Sequence, residues 1–146
     1  MKKVFKMIGI ISLAGLLLVV LLVGALVGSA AWARRKFIKE TVAILSPVKS
    51  LAEIEKLDPV YRPDLIYTRR FANGEWAAAR SLDEQDTEFG FEAALVYTSG
   101  GEFWISKNRH FCGYEGLSIS MNEVKAETLA EFLSGLSAEH GFLKFR

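Results

Sequence analysis

Apolar residues recur along this chain in three rhythms, and each predicts a different element. The first is continuous. From Met7 to Ala33, MIGIISLAGLLLVVLLVGALVGSAAWA, no position carries a formal charge. A hydrocarbon core about 30 Å thick is crossed by roughly 20 apolar helical residues, so the run predicts a membrane-spanning helix. A secretory signal peptide is the rival reading, because Lys2, Lys3 and Lys6 form a basic leader and Ala31-Trp32-Ala33 fits a small-x-small cleavage pattern. Signal cores, however, are usually about 7 to 15 residues, and Met7 to Val27 alone exceeds that. The cluster Arg34, Arg35 and Lys36 just past the cut would also hinder export. An uncleaved signal-anchor is therefore expected, with Trp32, Arg34, Arg35 and Lys36 at the membrane interface, where aromatic and basic side chains collect.

The second rhythm has a spacing of three to four. Phe37, Ile38, Thr41, Val42 and Leu45 keep it approximately, so the spanning helix is expected to run on into the aqueous phase until Ser46-Pro47, where proline disfavours helix in the residue before it. Ser50-Leu51-Ala52-Glu53 has the capping-box pattern of a short second helix. All three prolines, Pro47, Pro59 and Pro63, fall in residues 47–63. That stretch reads as a neck between an anchor at 1–46 and a domain at 64–146.

The third rhythm has a period of two. Leu65 to Phe71 is rich in β-branched and aromatic residues and is followed by Asn73-Gly74, a pair suited to a tight hairpin. Its partner would be Glu75 to Arg80, although Ala77-Ala78-Ala79 is poor strand material and is compatible with helix. Ser81 to Glu88 reads as a polar acidic loop. Phe91 to Thr98 and Glu102 to Ser106 flank Ser99-Gly100-Gly101, a second hairpin signal. His110 to Tyr114 and Leu117 to Ser120 add one or two strands. The period then returns to helix: Leu129, Phe132, Leu133 and Leu136 fall at i, i+3, i+4 and i+7, with Ser120 to Glu123 as the capping box. Gly135 is costly inside that helix, by roughly 1 kcal/mol against alanine, or else it marks an earlier end. Gly141 precedes a short terminal strand, Phe142 to Phe145. The fold class is α+β: an N-terminal transmembrane helix, then a small antiparallel β-sheet domain covered on one face by a C-terminal amphipathic helix.

Charge sharpens this division. Residues 1 to 39 hold 7 of the 18 Lys and Arg and no acid, which leaves 11 basic residues against all 17 Asp and Glu, a formal −6 hidden in the overall +1. An acidic domain beyond a basic collar speaks against nucleic acid as a partner, since no basic stripe lies outside the flank. The two flanks of the span are almost equally basic, so charge alone barely orients it. The Met-Lys-Lys start resembles a bacterial export leader and favours an inner-membrane protein with its domain extracytoplasmic.

Chemistry is sparse. The single Cys112 rules out an intrachain disulfide. His110 and Cys112 would share a strand face and, with His140 or Glu115, could be imagined as a thiol nucleophile with its base or as metal ligands, but a buried thiol and a surface imidazole explain them as well. No phosphate loop, H-E-x-x-H or G-x-S-x-G is present. No cofactor is expected. Within the span, Gly24 and Gly28 form G-x-x-x-G, with Ala25 and Ser29 one step round, a spacing that permits helix–helix packing and self-association. Trp104, if it lies on an uncovered sheet face, would belong to an apolar surface for a protein partner. The expectation is a non-catalytic accessory subunit or envelope interaction module whose partners are the lipid bilayer and another protein. A tethered enzyme using His110 and Cys112 and a ligand-sensing domain are the alternatives.

Overall fold

The computed structural model describes residues 2–61, 66–82, 93–106 and 121–145. Helix α1, Lys2–Leu45, is one unbroken rod of 44 residues. It ends where proline requires, in a turn at Ser46-Pro47 with Ser46 N donating to Val42 O at 2.9 Å and Val48 N to Leu45 O at 3.0 Å. Helix α2, Leu51–Tyr61, follows at once. The Glu53 carboxylate reaches one residue further back than a capping box on Ser50 requires, accepting from Lys49 N at 2.8 Å.

Five strands form one antiparallel sheet in the order of the chain: β1 Ile66–Arg70, β2 Trp76–Leu82, β3 Ala93–Thr98, β4 Phe103–Ser106 and β5 Phe142–Lys144. The first two hairpins use the same device. A three-residue loop closes each, with Gly74 (φ 88°) or Gly101 (φ 78°) in the left-handed position that other residues avoid. Asn73 braces its loop, accepting from Glu75 N through its own side chain at 3.1 Å.

The alanine run is strand, and β2 extends through Ser81 and Leu82 into what read as acidic loop. The reason is burial on both faces. Ala77 and Ala79 point to one core together with Ala94 and Val96 of β3; Ala78 points to a second core with Leu95 and Tyr97. Alanines there let a helix approach each side of the sheet closely, and all six residues of β3 are buried.

Helix α3, Leu129–His140, covers the first face through Leu129, Phe132, Leu133 and Leu136. Its start lies further along than expected. A turn of helix at residues 121–123 breaks at Val124, and the cap is Thr128, whose side chain accepts from Glu131 N while the Glu131 side chain accepts from Thr128 N. Gly141, φ 65°, closes the helix and turns the chain into β5.

The second face is also covered, which the sequence reading did not foresee. Phe37 and Leu45 of α1, Val48, and Leu51 and Ile54 of α2 are buried against Trp76, Ala78, Leu95, Tyr97 and Phe103. The last turns of the rod and the start of α2 pack on this face, so the sheet lies between two helical layers.

Candidate functional site

A chain of polar contacts lies where α1 meets the sheet. Three contacts hold it, spread along about 17 Å of helix between Arg34 and Leu45. At the near end, the Arg34 guanidinium donates to Ser106 O, at the end of β4, at 3.1 Å. In the middle, Arg80 projects from the alanine strand, donates to Thr41 Oγ1 at 3.2 Å and places its guanidinium 5.5 Å from the centre of the Phe37 ring. Thr41 is wholly buried and Phe37 nearly so. At the far end, the Tyr97 hydroxyl donates to Val48 O at 3.1 Å, satisfying a carbonyl just past the helix terminus. Burial pushes the Tyr97 phenol above its ordinary pKa, so the hydroxyl stays a donor. Its ring sits 5.6 Å from Trp76 and 4.5 Å from Phe103.

Arg80 and Tyr97 were not among the residues singled out from sequence. One signal was present: an arginine inside an otherwise apolar run on a central strand needs a partner for its charge. The rhythm of Phe37, Thr41 and Leu45 was visible too, and it marks the face that docks on the sheet.

The residues expected to matter are placed as follows. Trp32 is 65% exposed, with the Lys36 ammonium 5.5 Å from its ring centre. Lys36 also approaches Glu40 at 3.9 Å. Arg35 is exposed, while Arg34 is partly buried by its bond to the sheet. Gly24 and Gly28 have open space where a Cβ would stand. Trp104 does not lie on an uncovered face: it packs at the margin of the core beneath α3, and its ring N–H donates to Glu102 Oε2 at 3.4 Å. Strand β5 lies beside it, where Lys144 pairs with Glu102. His110, Cys112 and Glu115 lie outside the described residues, as do the strands and turns expected between 107 and 120. His140 is half-buried at the end of α3. Among the described residues no group of three or more His, Cys, Asp or Glu is placed to hold a metal ion.

A groove of about 460 Å³ runs beside the same helix, lined by Arg35, Ile38, Lys39, Val42, Ala43 and Phe145. Beyond it, the rod is long and apolar enough to cross a membrane. No family model matches this chain, and neither a curated protein nor a solved structure shows significant similarity to it.

Proposed function

We propose that this chain is a single-pass membrane protein, held by an uncleaved N-terminal signal-anchor, whose α+β domain is a non-catalytic accessory or assembly module for another protein. The supporting observation is the continuity of α1. Its outer part leaves Leu16, Leu17, Leu18, Val20 and Leu21 more than 60% exposed, and its last turns are a layer of the domain. An apolar surface of that length is stable only in lipid or against another apolar surface. A domain built onto the end of its own anchor keeps one height and one tilt relative to the bilayer, which suits a module that must present a surface to a neighbour in the same membrane. A bacterial inner-membrane location with the domain extracytoplasmic is part of this proposal, supported by the resemblance of the basic Lys2, Lys3 and Lys6 leader to an export signal.

Alkaline carbonate extraction of cell membranes, followed by affinity purification of the full chain from mild detergent, tests this. The full-length chain is expected in the membrane pellet, and a second protein is expected to elute with it in fixed ratio. Full-length chain in the aqueous supernatant, or a mature chain beginning at Arg34, overturns the anchor. A chain that elutes alone, at both low and high salt and after cross-linking in cells, overturns the accessory role. A reporter fused at the C-terminus decides the side.

A further inference from the structure

The collar that follows the apolar run contains four cations, and they are used in two ways. Arg34 is tied to the sheet through Ser106 O, and Lys36 is shared between Trp32 and Glu40. Arg35 and Lys39, one turn apart and exposed, make no hydrogen bond or ion pair with any described residue and instead border the groove. Its apolar side is Ile38 and Val42 of α1 and Phe145 beyond β5. Ile105 pairs with Leu143, so Leu143 and Phe145 project on the same side of the sheet as α1. Both remain exposed, at 41% and 44%. Leu143 lies toward the Arg34 end, since its pairing partner precedes Ser106, and Phe145 lies further along, its N–H donating to Phe103 O. An apolar strip thus climbs from the groove toward the apolar end of the rod, with two unneutralised cations along its rim.

We propose that this groove binds an anionic phospholipid: the phosphate lies between Arg35 and Lys39, and the glycerol and first methylenes rise past Phe145 and Leu143 into the leaflet. The inference rests on the membrane-anchored reading, which brings a leaflet to the level of Arg35. Charge complementarity chooses the occupant. The rest of the domain is acidic and repels an anionic surface, so the attraction is confined to this rim. The apolar floor excludes water from one side of the phosphate and strengthens the pairing.

The test uses the full chain in nanodiscs of phosphatidylcholine with one-tenth phosphatidylglycerol, released for native mass spectrometry, with the ratio of retained phosphatidylglycerol to phosphatidylcholine as readout. The wild-type chain is expected to retain phosphatidylglycerol preferentially. Each cation near the surface contributes about fivefold, so Arg35→Gln with Lys39→Gln lowers the ratio by about twenty-five-fold. Phe145→Ser lowers retention of both lipids. Lys2→Gln with Lys3→Gln removes the same charge from the other flank and is expected to leave the ratio unchanged; circular dichroism verifies folding of each variant. Equal retention of the two lipids by the wild-type chain, or an equal loss in the Lys2 and Lys3 control, overturns the proposal. So does loss of a co-purifying acidic protein from the Arg35 and Lys39 variant while its lipid ratio holds, because the groove would then be that protein's site. Failure of the chain to enter nanodiscs overturns the anchored reading, and with it the basis of this inference.

Discussion

A Cβ on Gly135 would stand 2.5 Å from Cγ1 of Val124. The glycine that looked like a weakness in the helical pattern is the place where the segment before α3 lies against the helix that follows it. Val124 is buried, and a β-branched side chain cannot swing aside without leaving its rotamer. Alanine at an exposed helix interior normally gains roughly 1 kcal/mol over glycine. Here Gly135→Ala is expected to lose about 1 to 3 kcal/mol by overpacking. Adding Val124→Ala removes the opposing methyl groups, so the double variant should recover most of the loss beyond the cost of Val124→Ala alone. Urea unfolding of the four chains of this cycle measures the coupling; strictly additive effects would show that the two residues do not oppose each other.

The same segment is held from below by Arg69. Its guanidinium donates to Val124 O and Ala126 O at 2.8 Å each and to Met121 O at 3.3 Å, and it stands 5.0 Å from the Phe132 ring centre and 5.4 Å from that of Phe71. A planar fork between two rings can meet three carbonyls at once, which the single point charge of lysine cannot. Arg69→Met is expected to cost about 2 kcal/mol or more, because carbonyls are left without donors. Arg69→Lys should restore little of it. Hydrogen exchange at Glu131 and Phe132, whose amides donate to the Thr128 cap at the start of α3, reports the loss locally; full protection in Arg69→Lys would contradict the role assigned to the fork.

Acid should loosen two places first. Backbone N–H groups of Glu127 and Thr128 hold the Glu131 carboxyl below the ordinary glutamate range, and the Lys144 ammonium, with a smaller contribution from the Trp104 ring N–H, does the same for Glu102. With folded pKa values depressed, the unfolded chain takes up protons first as pH falls. The stabilisation is therefore complete above the ordinary glutamate pKa, about 4.3, and is lost as pH drops through the lower folded values. Glu131→Gln keeps a side chain able to cap Thr128 but removes its titration. Its melting temperature should fall less steeply than that of the wild-type chain below about pH 4.3. Parallel curves for the two chains would remove Glu131 from the account.

The parts of this fold that could be read from the chain were those set by local chemistry. Ser46-Pro47 ended α1, Gly74 and Gly101 closed hairpins, and the spacing of Leu129, Phe132, Leu133 and Leu136 faced α3 to the sheet. What escaped was set by partners distant in sequence. Ala77-Ala78-Ala79 is weak strand material until a helix covers each face, and nothing local announces two covers. Thr128 and Glu131 also satisfy the capping-box pattern, yet the earlier Ser120 and Glu123 match it as well, so the pattern alone could not choose between them. The docking face of α1 was visible as a rhythm, but an apolar stripe does not name what it meets. Arg80 and Tyr97, which grip that face, carry their meaning only once Thr41 and Val48 are beside them.

If the last turns of α1 belong to the domain, the angle between rod and sheet is fixed by Phe37, Thr41 and Leu45 rather than left to a linker. Spin labels at Ser29, on the exposed part of the rod, and at Ala72, in the first hairpin loop, test this in a Cys112→Ser background. Both positions are exposed. The wild-type chain should give one narrow distance distribution by double electron–electron resonance. Phe37→Ala removes a ring buried under Arg80 and should cost about 3 to 5 kcal/mol, as large-to-small core changes of this kind do. Because the core beneath α3 shares no side chain with it, the first loss should be of the seam: the Ser29–Ala72 distribution broadens while near-ultraviolet dichroism from the Trp104 side of the sheet persists. Tyr97→Phe, which removes only the bond to Val48 O, should give a smaller broadening at a cost of about 1 to 2 kcal/mol. A distribution already broad in the wild-type chain would mean that the rod swings freely, and the domain could not then hold a fixed height above the membrane.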